Sequence, residues 1–150
     1  MMFKDVLSWQ AGKTRVVSND RVTGVGVTEK AMPILIVEDD AAIREVLSRV
    51  LEDEGYTVFI ANDGRDALEH LRAVWPLPSL IILDLMMPRM NGLAFRSAQR
   101  ADSQLADIPV VVLSAASQLD RHTAPLEAAA VVPKPFDLDQ LLSTVAMILA

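Results

Sequence analysis

The sequence predicts an α/β fold in which a doubly wound parallel sheet of five strands has helices on both faces. Short apolar runs rich in β-branched residues recur along residues 33–132. One of them, Ile34 to Val37, is apolar at every position, which is typical of a strand that is covered on both faces. Stretches with helical spacing separate these runs, and right-handed crossovers place such helices on both sides of a parallel sheet.

The elements follow in chain order. Strands are predicted at residues 34–37, 57–61, 80–83, 109–113 and 131–132. The first helix ends at Gly55, and its apolar face is formed by Ile43, Val46, Leu47, Val50 and Leu51. A turn at 62–64 caps the second helix, which spans 67–74 and is ended by prolines. The third helix spans 93–100, the fourth lies within 117–129, and Asp137 caps the fifth.

Composition excludes several classes of protein. The 150 residues have the length of one domain, and 51% hydrophobic residues are enough to build a core. The chain has no cysteine, so disulfides and thiolate chemistry are excluded. No run approaches the roughly 18 uncharged apolar residues of a membrane span, and the N-terminus lacks the apolar region of a secretory signal. We therefore predict a cytoplasmic protein with no membrane partner.

Charge is distributed unevenly along the chain. Residues 1–32 carry five basic and three acidic groups, whereas residues 33–150 carry nine basic and seventeen acidic groups. An acidic domain repels a phosphate backbone, so nucleic acid is not an expected partner. Because residues 1–32 also have weak periodicity, we predict that they form a poorly ordered N-terminal extension to a domain of residues 33–150.

Polar side chains follow the carboxyl ends of the predicted strands, where doubly wound folds bind their ligands. Asp39 and Asp40 follow the first strand, Asp84 ends the third, Ser114 ends the fourth and Lys134 follows the fifth. Crowded carboxylates stay ionised only with a cation among them, and oxygen ligands favour Mg²⁺. We expect Asp40 and Asp84 to be its direct ligands, with Asp39 beside them. An aspartate such as Asp84 can also act as a nucleophile toward phosphorus when cationic and hydroxyl groups neutralise the phosphoryl oxygens.

Four motifs in this order resemble the receiver domain of bacterial response regulators, the family that serves two-component signalling. The motifs are Val37 to Asp40, Asp84 to Gly92, Ser114 with Ala115, and Lys134 to Phe136. Asp40 precedes Asp84 by 44 residues and Ser114 follows Asp84 by 30 residues, both as in that family. The resemblance covers residues 33–149 and implies a flavodoxin-like (βα)5 fold with strand order 2-1-3-4-5.

The resemblance also implies roles for the site residues. Asp84 would accept a phosphoryl group from a phosphohistidine on a sensor histidine kinase or phosphotransfer protein. Asp39 and Asp40 would hold Mg²⁺, with the backbone carbonyl of Met86 as a further ligand. Ser114 and Lys134 would contact the phosphoryl group, and the peptide bond after Lys134 would be cis.

A phosphorylation switch rather than a conventional enzyme is therefore expected, at most catalysing its own phosphorylation and dephosphorylation. It would act by binding a protein target that the sequence does not identify. No output domain is expected, because the chain ends soon after the last helix. The sequence predicts neither the pathway nor the oligomeric state.

Several positions depart from the family pattern. Val131 replaces an aromatic residue that stands three positions before the lysine, and Pro125 predicts an irregular fourth helix. Met86 and Ala116 cannot hydrogen-bond an attacking water, which predicts slow self-dephosphorylation. Val131 keeps open an alternative, a pseudo-receiver that binds proteins without cycling phosphate. An aspartyl phosphatase would need a second acid at Met86, so that alternative is weak.

The two histidines, His70 and His122, lie in mostly polar helical stretches. Histidine in such a setting is usually exposed, so both are predicted at the surface with no role as phosphohistidines.

Overall fold

A computed structural model describes residues 32–87, 89–115 and 126–150. Strands and helices alternate from the first described residues onward. They are β1 Pro33–Val37, α1 Ala41–Asp53, β2 Thr57–Ala61, α2 Gly64–Ala73, β3 Leu80–Asp84, α3 Gly92–Ala101, β4 Val110–Ala115, β5 Ala130–Lys134 and α4 Leu138–Leu149. None of the helices in these ranges is long and apolar enough to cross a bilayer.

The five strands form one parallel sheet in the order β2-β1-β3-β4-β5. The register places Val37 opposite both Ala61 and Leu83, and Asp84 opposite Leu113. The carboxyl ends of the three central strands therefore lie side by side. The predicted fold class and strand order are confirmed.

Alternation along β1 divides the core into two layers. Ile34 and Ile36 belong to one buried cluster with side chains of α1 and α4, whereas Leu35 and Val37 belong to another with side chains of α2 and α3. Successive side chains of a strand point to opposite faces, which is why a fully apolar run needs helices on both sides. Each fully buried Leu, Ile or Val stabilises the fold by about 1.5–3 kcal/mol relative to exposure.

Helix ends follow the predicted capping residues. Asp63 accepts the backbone N–H of Asp66 at the start of α2, and Asp137 accepts two N–H groups at the start of α4. Gly55 has a φ of 96°, a left-handed conformation that glycine adopts without steric cost, and it ends α1 as predicted.

Some predicted boundaries differ from the structure. β4 begins at Val110, one residue after Pro109, and continues to Ala115, while β5 spans Ala130–Lys134 instead of two residues. β5 lies at the edge of the described sheet, the position in which a strand tolerates a proline such as Pro133. Residues 1–31 and most of the predicted fourth helix, with Ala116, His122 and Pro125, lie outside the described residues.

The predicted surface location of His70 is wrong. The residue is 1% exposed, and its ring centroid lies 4.9 Å from that of Phe59 on β2. His70 stands three residues after Ala67 and four before Val74, which are both buried. Helical spacing therefore places it on the inward face of α2, although its immediate neighbours in sequence are polar.

Candidate functional site

The candidate site lies at the carboxyl edge of the sheet, where β1, β3 and β5 end together. A cavity of about 290 Å³ opens there, and its walls include Glu38, Asp39, Asp84, Met86 and Lys134. Of the groups predicted from strand ends, the structure therefore brings carboxylates from two strands together with one ammonium group.

Asp84 lies at the centre of this group and is 3% exposed. The ammonium group of Lys134 donates a hydrogen bond to Asp84 Oδ1 at 3.0 Å and also lies 3.5 Å from Glu38 Oε1. Burial acts to lower the pKa of Lys134, but the hydrogen bond to Asp84 and the charges of both acids outweigh it, so this pKa is raised. Lys134 therefore stays a cation beside the most buried aspartate of the site.

Three carboxylates converge at the cavity. Oxygen atoms of Glu38, Asp39 and Asp84 all lie within 4.8 Å of one another. Burial, together with the charge of Asp84, raises the pKa of Glu38 to about 7, although the backbone N–H of Asp40 and the charge of Lys134 act in the opposite direction. The site thus carries more negative charge than Lys134 alone balances, as expected of a site for a cation.

Asp40 also lines the cavity, but its carboxylate is not one of these three, and its predicted role as a direct metal ligand stays a prediction. Its Oδ1 instead accepts the backbone N–H groups of Ala42 and Ile43, at 2.8 and 3.1 Å, and caps α1. The N–H of Glu38 still bonds the carbonyl of Ala61, so the chain remains extended at Glu38 and the helix begins only after Asp40. Glu38 therefore supplies the third converging carboxylate, next to Asp39 and Asp84.

Arg44 is a site-associated residue that sequence reasoning missed. Its Nη1 donates to the backbone carbonyls of Glu38 and Asp39, at 2.9 and 3.0 Å, and so ties the acidic segment to α1. Arg44 stands four residues after the capping Asp40, a spacing that indicates a side-chain pair with Asp40 and not the contacts with backbone carbonyls that the structure has.

The remaining predicted residues border the cavity or lie just behind it. Met86 exposes 63% of its surface, and its N–H lies 3.5 Å from Asp84 Oδ1. Ser114 is buried at the end of β4, where its hydroxyl donates to the carbonyl of Ala115 at 3.3 Å. The peptide bond between Lys134 and Pro135 is cis, as expected.

Comparison with known sequences identifies the family. Residues 34–146 match the family described as "Response regulator receiver domain". The chain belongs to this family. It is the receiver domain of a two-component response regulator.

Relatives and solved structures agree with the family match. The receiver domain is 40% identical over 118 residues to response regulator MprA of Mycolicibacterium vanbaalenii, which covers 77% of this chain and 49% of that protein. It is 41% identical over 120 residues to MprA of Mycobacterium leprae, with 79% and 51% covered. The chain thus spans about half the length of the curated relatives it matches, and the absence of an output domain stays a prediction, as does a cytoplasmic location.

Solved structures of similar fold include response regulators from two bacteria. Response regulator CheY4 of Vibrio cholerae superposes with a TM-score of 0.70 at 32% identity, covering 78% of this chain and 98% of that one. A response regulator from Chloroflexus aurantiacus gives a TM-score of 0.73 at 30% identity, covering 80% and 98%. Receiver domains are signalling switches that interact with histidine kinases or phosphotransfer proteins, and they generally bind Mg²⁺ at an acidic pocket. The converging carboxylates of Glu38, Asp39 and Asp84 form an acidic pocket of this kind.

Proposed function

We propose that this receiver domain is a phosphorylation switch that accepts a phosphoryl group on Asp84. The donor is a phosphohistidine on a sensor histidine kinase or phosphotransfer protein, and the reaction requires Mg²⁺. One observation carries the proposal: a buried aspartate at the end of β3 contacts a lysine ammonium at 3.0 Å and lies among two further acids. A structural aspartate would need only one counter-charge, whereas this excess of acid suits a bound cation and an incoming phosphoryl group.

The chemistry is a transfer between two nucleophiles. An oxygen of the Asp84 carboxylate attacks phosphorus, so that an O–P bond forms as the N–P bond to the donor imidazole breaks. The electron pair of the broken bond stays on the imidazole nitrogen, which takes up a proton from solvent. The products are an acyl phosphate on Asp84 and a free histidine on the donor.

Residues at the cavity suit Mg²⁺. They offer only oxygen ligands, which a small hard cation prefers. Asp39 and Asp84 would hold the ion together with the backbone carbonyl of Met86, and Glu38 would hold or orient it in place of Asp40. When bound, Mg²⁺ neutralises negative charge on the phosphoryl oxygens. Burial and, after it, the charge of Asp84 raise the pKa of Glu38, and such an ion would relieve the repulsion between the two acids.

Lys134 and Ser114 have distinct roles in the proposal. Lys134 already contacts Asp84, so after transfer its ammonium can pair with a phosphoryl oxygen without a large displacement. Ser114 lies at the end of β4, next to β3, and its weak contact with the carbonyl of Ala115 leaves the hydroxyl able to turn toward the phosphoryl group. The signal then passes to a protein target through changes near these strand ends.

Val131 favours one alternative, a pseudo-receiver that binds partners without phosphorylation. It lies half-buried on β5, packed on the core cluster beside α2 and α3, where the family has an aromatic residue that reports the movement of the hydroxyl. A domain that had lost its switch would not need that aromatic residue.

Mass spectrometry of the intact protein tests both functions. The protein is incubated with Mg²⁺ and a small phosphodonor such as acetyl phosphate, and three forms are compared: wild type, Asp84→Asn and Asp53→Asn. Asp53 is an exposed aspartate at the end of α1, so it is a matched control that should gain one phosphoryl group as the wild type does. Asp84→Asn should gain none. If the wild type gains no phosphoryl group with a fresh donor and saturating Mg²⁺, the result would contradict the phosphorylation switch and favour the pseudo-receiver.

A further inference from the structure

Asp63 is a buried carboxylate outside the acidic group, at the start of α2. It is 1% exposed, and its Oδ1 accepts the backbone N–H of Asp66 at 2.9 Å. Its Oδ2 accepts the Nε–H of Arg89 at 2.6 Å and also contacts Nη2 of the same side chain. The guanidinium therefore binds the carboxylate side-on through two nitrogens and supplies the counter-charge that a buried carboxylate needs.

Arg89 holds this position at a conformational cost. Its φ is 60°, in the left-handed region where a residue with a Cβ is strained and glycine is not. The chain nevertheless has arginine there, and that side chain reaches a partner 26 residues earlier in sequence. The ion pair with Asp63 offsets the strain, so the contact and the loop conformation support each other.

The loop between β3 and α3, described at residues 85–87 and 89–91, is held at two further points. Next to Arg89, the carbonyl of Met90 accepts the N–H of Gly64 at 3.1 Å, and a Cβ on Gly64 would lie only 2.8 Å from that carbonyl oxygen. At its base, the N–H of Gly92 bonds the carbonyl of Leu85 at 2.9 Å. The start of α2 thus presses directly on the loop that follows Asp84.

We propose that the ion pair between Asp63 and Arg89 positions this loop and thereby sets the affinity of the site for a divalent cation. The inference rests on the proposed function, which assigns the backbone carbonyl of Met86 to that cation. Glu38, Asp39 and Asp84 lie at the ends of β1 and β3, whereas Met86 lies in the loop itself, where its N–H is 3.5 Å from Asp84 Oδ1. Loss of the ion pair would free the far side of the loop while the three acids stay in place.

Direct cation binding tests the inference. Mg²⁺ is titrated into wild type and variants by calorimetry and by NMR of the Met86 and Gly92 amides, so the readout does not depend on phosphorylation. Arg89→Gln and Asp63→Asn each remove the ion pair, and Asn keeps a cap for α2. Each should weaken Mg²⁺ binding about tenfold, as is common when a group that orients a metal ligand is lost. Acetyl phosphate should still modify Asp84 at the wild-type maximal rate once Mg²⁺ is saturating.

Two further variants separate positioning from general destabilisation. The double variant Asp63→Asn, Arg89→Gln should bind Mg²⁺ no more weakly than either single variant, because both remove one interaction. Arg49→Gln removes an exposed ion pair with Glu45 on α1 and is a matched control that should bind Mg²⁺ as the wild type does.

The outcomes distinguish this inference from the proposed function. Unchanged Mg²⁺ affinity in Arg89→Gln, or a double variant with additive losses, would overturn the inference even if Asp84 is phosphorylated. A wild type that binds Mg²⁺ but gains no phosphoryl group would overturn the proposed function, while weaker Mg²⁺ binding in Arg89→Gln would still support the role of the ion pair.

Discussion

Ionisation of His70 should lower the stability of this domain in acid. The imidazole is buried on the inward face of α2 against Phe59, and burial disfavours its charged form. Its pKa is consequently lowered from the ordinary 6.5 to about 4. In the unfolded chain the same ring regains its ordinary pKa, so unfolding between these two pH values takes up a proton.

The size of the effect follows from the two pKa values. Above pH 6.5 the ring is neutral in both states, and its contribution to stability does not change with pH. As the pH falls toward about 4, protonation stabilises only the unfolded state, and the free energy of unfolding falls by up to about 3 kcal/mol. Single domains are stable by only about 5–15 kcal/mol, so this is a substantial fraction.

The assay compares wild type with His70→Gln by urea unfolding from about pH 7.5 to about pH 4. The variant cannot take up this proton, so the stability of the wild type relative to the variant should fall by about 3 kcal/mol over the interval. The subtraction removes the carboxylates that both proteins share, including Glu38, whose raised pKa acts in the opposite direction. A relative stability that stays constant with pH would show that the folded protein does not resist protonation of His70, and would refute the reasoning.

Three further changes have expected outcomes. Arg96 is buried and donates hydrogen bonds to backbone carbonyls just before β5, so Arg96→Ala should lower the free energy of unfolding by about 3 kcal/mol. Arg100 is exposed, and Arg100→Ala should lower it by less than about 1 kcal/mol. Denaturant titration measures both values. In Gly92→Ala the new Cβ would lie 2.6 Å from the carbonyl oxygen of Asp84, so stability should fall by about 2 kcal/mol and acetyl phosphate should modify Asp84 more slowly by intact mass. Met86→Asn should shorten the lifetime of the acyl phosphate several-fold by positioning water, and an unchanged decay rate would contradict that role.

Most of the fold could be predicted because its signals are local and agree with one another. Apolar runs such as Ile34 to Val37 can be satisfied only inside a sheet covered on both faces, and the helices between them carry their own caps and stops. The strand-end rule then brings Asp84 and Lys134 together from positions 50 residues apart. Neither step needed a long-range contact to be known in advance.

Patterns failed where tertiary contacts decide the outcome. The polar neighbours of His70 in sequence indicate a surface position, whereas the packing of α2 against Phe59 on β2 makes the face that His70 shares with Ala67 an interior one. The extent of β5 follows from pairing with β4, which continues through Pro133 to Lys134 although the local sequence looks unsuited to a strand. Arg89 is similar, since nothing near it in sequence indicates a partner at Asp63.

In the acidic segment after β1, one acid caps a helix and another reaches the edge of the sheet. Glu38, Asp39 and Asp40 all follow the same strand, so the strand-end rule alone cannot choose between them. Asp40 caps the helix, because the residue before Ala41 is the one placed to accept the free N–H groups of the first turn. Such a cap commonly stabilises a helix by about 1 kcal/mol. Glu38 is still extended, and its side chain comes within reach of Lys134 at the end of the sheet. In this acidic segment the first residue, Glu38, therefore reaches the sheet edge and the last, Asp40, caps the helix.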